Sequence, residues 1–354
     1  MGRVGGEGRW PRLVAGVAVG ALLSAVGVVP PAAAGPVSAA TGPGSASDQA
    51  PVRPSGPVDL VGGADSIATD VNDHGLVVGW YILAGQDPVN AARAFRWTAR
   101  RGLVDIGPGA AEAVNESGVV VGTRLGGVGT IRATRWTAAG QAQDLGLDGT
   151  SYATDINDHG TIVGYGSTGA FVIEPGVAPE PLANPSEIVG PHNQALGINN
   201  RGDIVGWAFD EGSGRERPVL WQGRDHTPTV LPTRRDDYEA TDINDRGTIV
   251  GWALAYGVGR QAVTWVGRRH REVDVGPPGV DSQGLAINDR GQVVGVRLES
   301  GDGFRWDPRT DRTTILTGLT DIYDEPRAIN DRGVVVGYSR QPEFSPVAVI
   351  FASR

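Results

Sequence analysis

A nine-residue pattern, Val/Ile-Asn-x-x-Gly-x-Val/Ile-Val-Gly, recurs seven times along this chain of 354 residues. Its asparagines are Asn72, Asn115, Asn157, Asn199, Asn244, Asn288 and Asn330, at intervals of 42 to 45 residues. A glycine follows each at the third position and another at the seventh, and a valine precedes the second glycine every time. Repeats of this period are one supersecondary unit copied and stacked, which limits the chain to a solenoid, a propeller or an array.

The pattern also dictates local structure. Asparagine at the head of a type I turn bonds its own backbone two residues on, and glycine is favoured at the fourth position, where it also permits positive φ. Ile156-Asn157-Asp158-His159-Gly160 therefore reads as a tight turn between strands Ala153–Ile156 and Thr161–Tyr165. A third strand follows in each unit (Ala94–Trp97, Ala133–Trp136, Ala170–Ile173, Pro218–Trp221, Ala262–Trp265, Gly303–Trp306, Ala348–Phe351). A fourth, such as Val104–Ile106 or Val273–Val275, comes after it. Four strands of about five residues and four connections of similar length fill a repeat of about 42 residues.

The last unit stops at its third strand, and Val58-Asp59-Leu60, just ahead of the first unit, fits the missing fourth. Pairing the two closes a ring and removes both open edges. The expected fold is thus all-β: a seven-bladed β-propeller of four-stranded antiparallel blades over residues 58–351, closed by the N-terminal strand. An open β-solenoid or a pair of β-sandwiches are the alternatives. Helical repeats are excluded, because the units are rich in glycine and have no period of 3.6.

The repeat Ala94-Phe95-Arg96-Trp97, Gly102-Leu103-Val104-Asp105-Ile106-Gly107, Ala113-Val114-Asn115-Glu116-Ser117-Gly118-Val119-Val120-Val121-Gly122 resembles the HAF-repeat family of extracellular repeat proteins. The histidine of that family's His-Ala-Phe core is replaced here by Arg93, Arg132, Gly169, Arg217, Gln261, Asp302 and Val347. The resemblance implies secretion and a repeat fold, and carries no activity.

Residues 1–34 read as a signal peptide: Arg3, Arg9 and Arg12, an uncharged run from Leu13 to Val29, then Ala32-Ala33-Ala34 as a cleavage site. An uncleaved anchor is the rival, since the run lies at the lower limit of a bilayer span. Residues 35–57, rich in Gly, Pro, Ser and Ala, read as a disordered linker. The expected product is extracellular, monomeric and not stably inserted in a membrane.

Composition removes several chemistries. There is no cysteine and no lysine, so thiolate nucleophiles, thiolate metal sites, Schiff bases and the phosphate-loop lysine are absent. A net charge of −9 and no basic patch argue against nucleic acid. The five histidines lack metal-ligand spacing and no Gly-x-Ser-x-Gly elbow occurs, so neither metal nor cofactor is expected.

The first-to-second turns keep one length, while the second-to-third loops vary, which places a binding site on the variable-loop face near the axis. Candidate ligand-binding residues are Trp80, Tyr165, Trp207, Trp252 and Tyr338, just after the second glycine, as stacking platforms or as packing between blades. Trp97, Trp136, Trp221, Trp265 and Trp306 are expected in the core. Two acidic groups, Asp236, Asp237 and Glu239, and Asp321, Asp324 and Glu325, could serve as acid and base for glycoside cleavage. The other reading is a solvated rim paired with Arg234, Arg235 and Arg327. Asp70, Asp155 and Asp242 recur two residues before the asparagine in units one, three and five only, with Ala or Gly elsewhere. The leading expectation is a secreted, non-catalytic binding module for a polysaccharide or an extracellular protein. A polymer-degrading hydrolase or lyase and a matrix protein are the alternatives.

Overall fold

The computed structural model describes residues 56–352 apart from 63–64, 84–90, 127–128, 258, 321 and 343–344. The expected signal peptide and nearly all of the linker lie outside the described residues. The described chain forms seven four-stranded antiparallel sheets arranged as a ring. In blade one the strands are Ser66–Val71, Val77–Ile82, Ala92–Thr98 and Gly102–Pro108, from the axis outward. Blades two to six repeat that order, and blade seven takes Val58–Asp59 as its outer strand. Val58 pairs with Ile350 and Asp59 with Val349, as the offset of the repeats requires. The structure is the closed seven-bladed β-propeller that the repeat arithmetic predicts.

Aliphatic and aromatic side chains fill the space between neighbouring blades. Val205, Leu220 and Leu231 of blade four pack on Tyr238, Ala240, Ile249, Val263 and Trp265 of blade five. At the closure, Leu60, Ala68, Val71 and Phe95 meet Ala328, Val336, Ala348 and Ile350. Each such buried valine, leucine or isoleucine contributes about 1.5–3 kcal/mol. Trp136, Trp221 and Trp265 are fully buried, as expected of the third strands. Trp97 and Trp306 are only half-buried.

The asparagine does more than cap its own turn. Its Oδ1 accepts the N–H four residues on, as at Leu76, Thr161 and Val334. Its Nδ2 donates to the carbonyl of the matching asparagine in the next blade, at 2.9–3.1 Å in all seven. The last of these bonds runs from Asn330 back to Asn72, so the relay is circular. A second circle lies one residue further on. The N–H of Asp73 donates to the Glu116 carboxylate, that of Glu116 to Asp158, and so round to Asp331 on Asp73, at 2.7–2.9 Å. Buried amides without partners are costly, and the two circles supply partners for seven side-chain amides and seven backbone N–H groups on this edge of the inner strands.

The second glycine has an equally local cause. Every inner strand carries a β-bulge opposite it, between Ala68 and Asp70 in blade one and between Ala240 and Asp242 in blade five. The bulge pushes a carbonyl against the glycine, so a Cβ at Gly79 or Gly251 would stand 1.9–2.0 Å from the Ile67 or Glu239 oxygen. Only glycine tolerates that approach.

The bulge also explains the alternating aspartates. Thr69 and Asp70 of blade one clasp blade two: the Thr69 hydroxyl donates to Ala111 O at 3.0 Å and Asp70 accepts from Val114 N at 2.8 Å. Thr154 and Asp155 clasp blade four in the same way, and Thr241 and Asp242 clasp blade six. The clasped blade presents Ala113, Gly197 or Ala286, small enough to let the carboxylate reach past. Burial, aided by nearby carboxylates (Asp242 beside Asp70 and Asp155, Asp289 beside Asp242), pushes the Asp70 carboxyl up to about 7, Asp242 to about 6 and Asp155 well above the usual range.

Because the asparagine relay is a closed circle, Asn330→Ala should destabilise the fold as much as Asn157→Ala, each by about 2–3 kcal/mol in urea unfolding, since several bonds are lost per side chain. A much smaller loss at Asn330 would mean the ring is open between blades seven and one. The clasp carboxyls retain protons in the folded chain at pH values where the unfolded chain has released them. Their contribution to stability is therefore greatest at low pH and falls as pH rises from about 4 through about 7. The melting temperature should fall between pH 5.5 and pH 8.5, and Asp155→Asn should lessen that slope in calorimetry.

Candidate functional site

The ring has two unlike faces. On the turn face an axial cavity of about 300 Å³ is lined by three tiers: Val71 and its six counterparts, the seven asparagines, and a rim of Asp73, Glu116, Asp158, Asn200, Asp245, Asp289 and Asp331. Burial pushes the Asp289 and Asp331 carboxyls up, with further pressure from their acidic neighbours. This cavity lies on the face opposite the variable loops, and none of the five candidate aromatics lines it. Its residues are the ones the repeat fixes for structure. Among the described residues no group of three His, Asp or Glu is placed to hold a metal ion. Nor is any described helix long and apolar enough to cross a membrane.

The five aromatics near the other face fall into two sets. Trp80, Trp252 and Tyr338 are buried at 2, 3 and 8 % exposure, which leaves little surface for a ligand to stack on. Trp80 and Tyr338 share a cluster with Ile67 and Ala110 between blades. The Tyr338 hydroxyl donates to Glu325 at 2.9 Å, and Glu325 also takes Tyr323 at 2.8 Å and Arg327 at 2.9 Å. Trp207 and Tyr165 are half-buried. Tyr165 stacks on Tyr152 with centroids 5.0 Å apart, and the Trp207 indole N–H is buried with no partner.

The two acidic groups also separate. Asp324 and Glu325 are buried at 7 and 8 % exposure, and Asp321 lies outside the described residues. Arg327 pairs with Glu325 as expected, but Arg234 and Arg235 do not pair with Asp236 and Asp237. They turn outward to Glu272 and Asp274 of blade five's outer strand. The backbone N–H groups of both arginines point at the fully buried Tyr238 hydroxyl. That hydroxyl anchors the segment and swings the two guanidinium groups away from the neighbouring aspartates.

Freed from those arginines, Asp236 and Asp237 organise the seam between blades four and five. The third strands here, Arg215–Gln222 and Gly259–Val266, have eight residues each, so these hairpins extend further along the loop face than their neighbours'. At the tip of blade five stands Tyr256, 52 % exposed. Its backbone N–H donates to Asp236 at 2.9 Å, and its hydroxyl donates to Asp237. Asp236 pairs with Arg215 at 3.0 Å, and Asp237 accepts from Glu216 N at 3.1 Å. The ring is thus exposed yet held at both ends.

Further along the same inner strand the acidic character continues. Glu239, on the inner strand of blade five, is 1 % exposed and its Oε2 has no hydrogen-bond partner. Burial, then the nearby Glu216, pushes its carboxyl up to about 8, against smaller pulls from a Trp252 hydrogen bond and Arg260. Glu216 is pushed up to about 7 by burial and by Asp237. The Arg260 guanidinium lies 4.5 Å from the centroid of Trp252, a cation–π contact. An exposed, clamped aromatic beside polar acceptors can take the flat face of a sugar ring. Neutral carboxyls beneath it can donate or accept protons.

Sequence reasoning singled out Asp236, Asp237, Glu239 and Trp252 in this part of blade five and did not single out Tyr256, Glu216 or Arg215. The one signal for them was the repeat interval, longest in units four and five at 45 and 44 residues.

No family model matches the chain, and no curated protein matches it. Its likeness is to solved propellers. Virginiamycin B lyase from Staphylococcus aureus is 10% identical, with 84% of this chain and 98% of that one covered and a TM-score of 0.57. The β-propeller domain of Cps50 (Swd1) from Myceliophteria thermophila is 9% identical over 85% and 100%, with a TM-score of 0.58. The β-propeller domain of the Trilobed protease from Pyrococcus furiosus, which has an open velcro topology, is 10% identical over 82% and 94%, at a TM-score of 0.55. The chain is a seven-bladed β-propeller. At these identities the likeness is one of fold alone.

If Glu239 holds a proton because its charge is buried, Glu239→Gln removes a penalty that grows with pH. The group's folded pKa lies above its unfolded one, so the penalty is absent near pH 4 and full above about 8. The variant should match the parent at pH 5 and melt higher at pH 8.5 in differential scanning calorimetry.

Proposed function

We propose that this protein is an exported, non-catalytic binding module that holds an extracellular polysaccharide on its variable-loop face, at the seam between blades four and five. The observation that carries this reading is Tyr256, an exposed aromatic ring fixed by Asp236 and Asp237. A ring immobilised before the ligand arrives loses little entropy on stacking, which suits a ligand that offers a flat face ringed by hydroxyl groups. Asp236, Asp237 and Arg215 supply acceptors and donors for hydroxyl groups around it. Export is supported by the basic start, apolar run and Ala-rich exit of residues 1–34.

A second reading, cleavage of the bound polymer, draws on one observation: Glu216, pushed up to about 7, stands beside Asp237, so the seam holds an acid near neutrality next to a carboxylate. Under that reading, products accumulate and Glu216→Gln abolishes them while binding survives.

On a polysaccharide array, the protein should retain a defined glycan class. Tyr256→Ala should weaken that binding about tenfold or more, equivalent to about 1.4 kcal/mol, with unfolding unchanged. Binding that survives Tyr256→Ala would place the ligand elsewhere.

A further inference from the structure

We propose that the turn face of blades four to six is a second docking surface, which holds an extended polyanionic polysaccharide along an arc of arginines outside the axial cavity. Arg246 and Arg290 stand third in the first-to-second turns 244–247 and 288–291, each closed by a bond from the glycine N to the asparagine O at 2.9 Å. Arg224, Arg268, Arg269 and Arg309 stand inside the third-to-fourth turns of the same three blades. Those turns close from His226 N to Gly223 O at 3.1 Å, from His270 N to Gly267 O at 2.9 Å and from Thr310 N to Asp307 O at 3.3 Å. In a four-stranded antiparallel blade both kinds of turn lie at one end of the sheet, so these arginines share a face. No basic run shows in the sequence, because the arginines fall about half a repeat apart. Blades two and three carry no arginine in the matching turns.

Every arginine of the arc is exposed. Among the described residues none of them forms an ion pair within 4.0 Å. Arg271 and Arg312, exposed at the heads of the outer strands, extend the arc. The aspartates of this sector are fewer and mostly engaged. Asp203 pairs with Arg201 at 2.6 Å, Asp307 accepts from Gln292 at 2.9 Å, and Asp311 accepts from the Trp306 indole at 2.9 Å. Asp225 offsets one charge. A chain of net charge −9 thus gathers uncompensated positive charge on one sector of one face. Guanidinium forks match the paired oxygens of carboxylates and sulfates.

The surroundings of the arc select the partner. Inside it lies the cavity rim, with Asp73, Glu116, Asp158, Asp245, Asp289 and Asp331. Asp289 and Asp331 feel Arg246 and Arg290 only at longer range. A continuous anionic plane such as a bilayer would press on those carboxylates, whereas a linear chain can follow the arc and pass clear of them. Among the described residues no exposed aromatic ring stands on this sector, so the stacking platforms that hold single-stranded nucleic acid are missing. A flexible anionic glycan needs neither.

Titration calorimetry on the full protein tests this with polygalacturonate, dextran sulfate, neutral dextran, anionic vesicles of phosphatidylglycerol and single-stranded DNA. At least one of the two anionic glycans should bind, neutral dextran should not, and the tighter glycan names the anion. Because bound arginines release condensed counterions, binding should weaken about tenfold or more between about 50 and about 200 mM salt. Arg268→Ser with Arg269→Ser, and separately Arg246→Ser with Arg290→Ser, should each weaken binding about tenfold while melting like the parent. Arg100→Ser with Arg101→Ser removes the same charge from blade one and should leave binding nearly unchanged, as should Tyr256→Ala on the opposite face. Equal loss from the blade-one pair overturns the inference in favour of diffuse charge. Loss on Tyr256→Ala moves the anionic glycan to the loop face. Tighter binding of vesicles or DNA names another partner and overturns it too. No binding of either anionic glycan removes this surface and leaves the loop-face reading untouched.

Discussion

The circular relay of asparagine side chains is the constraint on which the rest of the molecule depends. A propeller converges its inner strands on an axis, and there the polar ends of seven strands meet with little water and no sheet partner on the inside. A single side chain type must cap a turn, satisfy the strand that follows and reach the neighbouring blade. Asparagine does all three because its amide carries an acceptor and two donors on one short arm. Aspartate has no donor for the neighbour's carbonyl, and glutamine places the amide one bond too far from its own turn. The relay has no end: Asn330 donates to Asn72 across 258 residues of sequence. The ring is therefore stitched shut at the axis as well as at the rim, where Val58–Asp59 joins the last blade.

An odd number of blades sets the second pattern. The Thr–Asp clasp needs a small residue in the blade it reaches, so clasping and clasped blades alternate. Three clasps use six blades, and the seventh has no mate. Blade seven fills the clasp positions with Arg327 and Ala328 and relies instead on the Glu325 ion pair and on the borrowed outer strand. The sequence discontinuity at the chain ends and the break in the alternation coincide. Rim closure is best placed there, since that is where the inner strands are least tied together.

Much of this was legible in the sequence because it repeats. Strand count, blade size, ring closure and the turn glycines follow from spacing alone. What spacing cannot reveal is where a side chain reaches beyond its own unit. Asn72 reads as a turn residue, and nothing local says that its amide belongs to blade two. Asp70 reads as an unexplained alternation until the bulge and Ala113 are seen together. Arg234 and Arg235 adjoin two aspartates in the chain, yet the buried Tyr238 hydroxyl holds their backbone and turns them to Glu272 and Asp274. Trp80 and Trp252 occupy equivalent positions and look alike as platforms. The structure buries both, while Tyr256, which no repeat position marks, stands exposed.

Residues that the repeat fixes build the frame, and departures from it carry what distinguishes this propeller from any other. The position of Glu239 on the inner strand is held by Ile67, Ala110, Tyr152, Gln194, Gln283 and Glu325 in the other blades. Where Glu325 fills it, two tyrosine hydroxyls and Arg327 surround the carboxylate and satisfy it. Where Glu239 fills it, the chain supplies a Trp252 hydrogen bond to one side and nothing to Oε2. The same residue in the same frame is thus complete in blade seven and incomplete in blade five. Glu112 Oε1, on the inner strand of blade two, is unmatched in the same way, so the two carboxyls mark where the polar matching of the frame is relaxed. Glu239 shares its inner strand with Asp237, which holds the exposed Tyr256 ring, so these departures from the repeat gather in blade five.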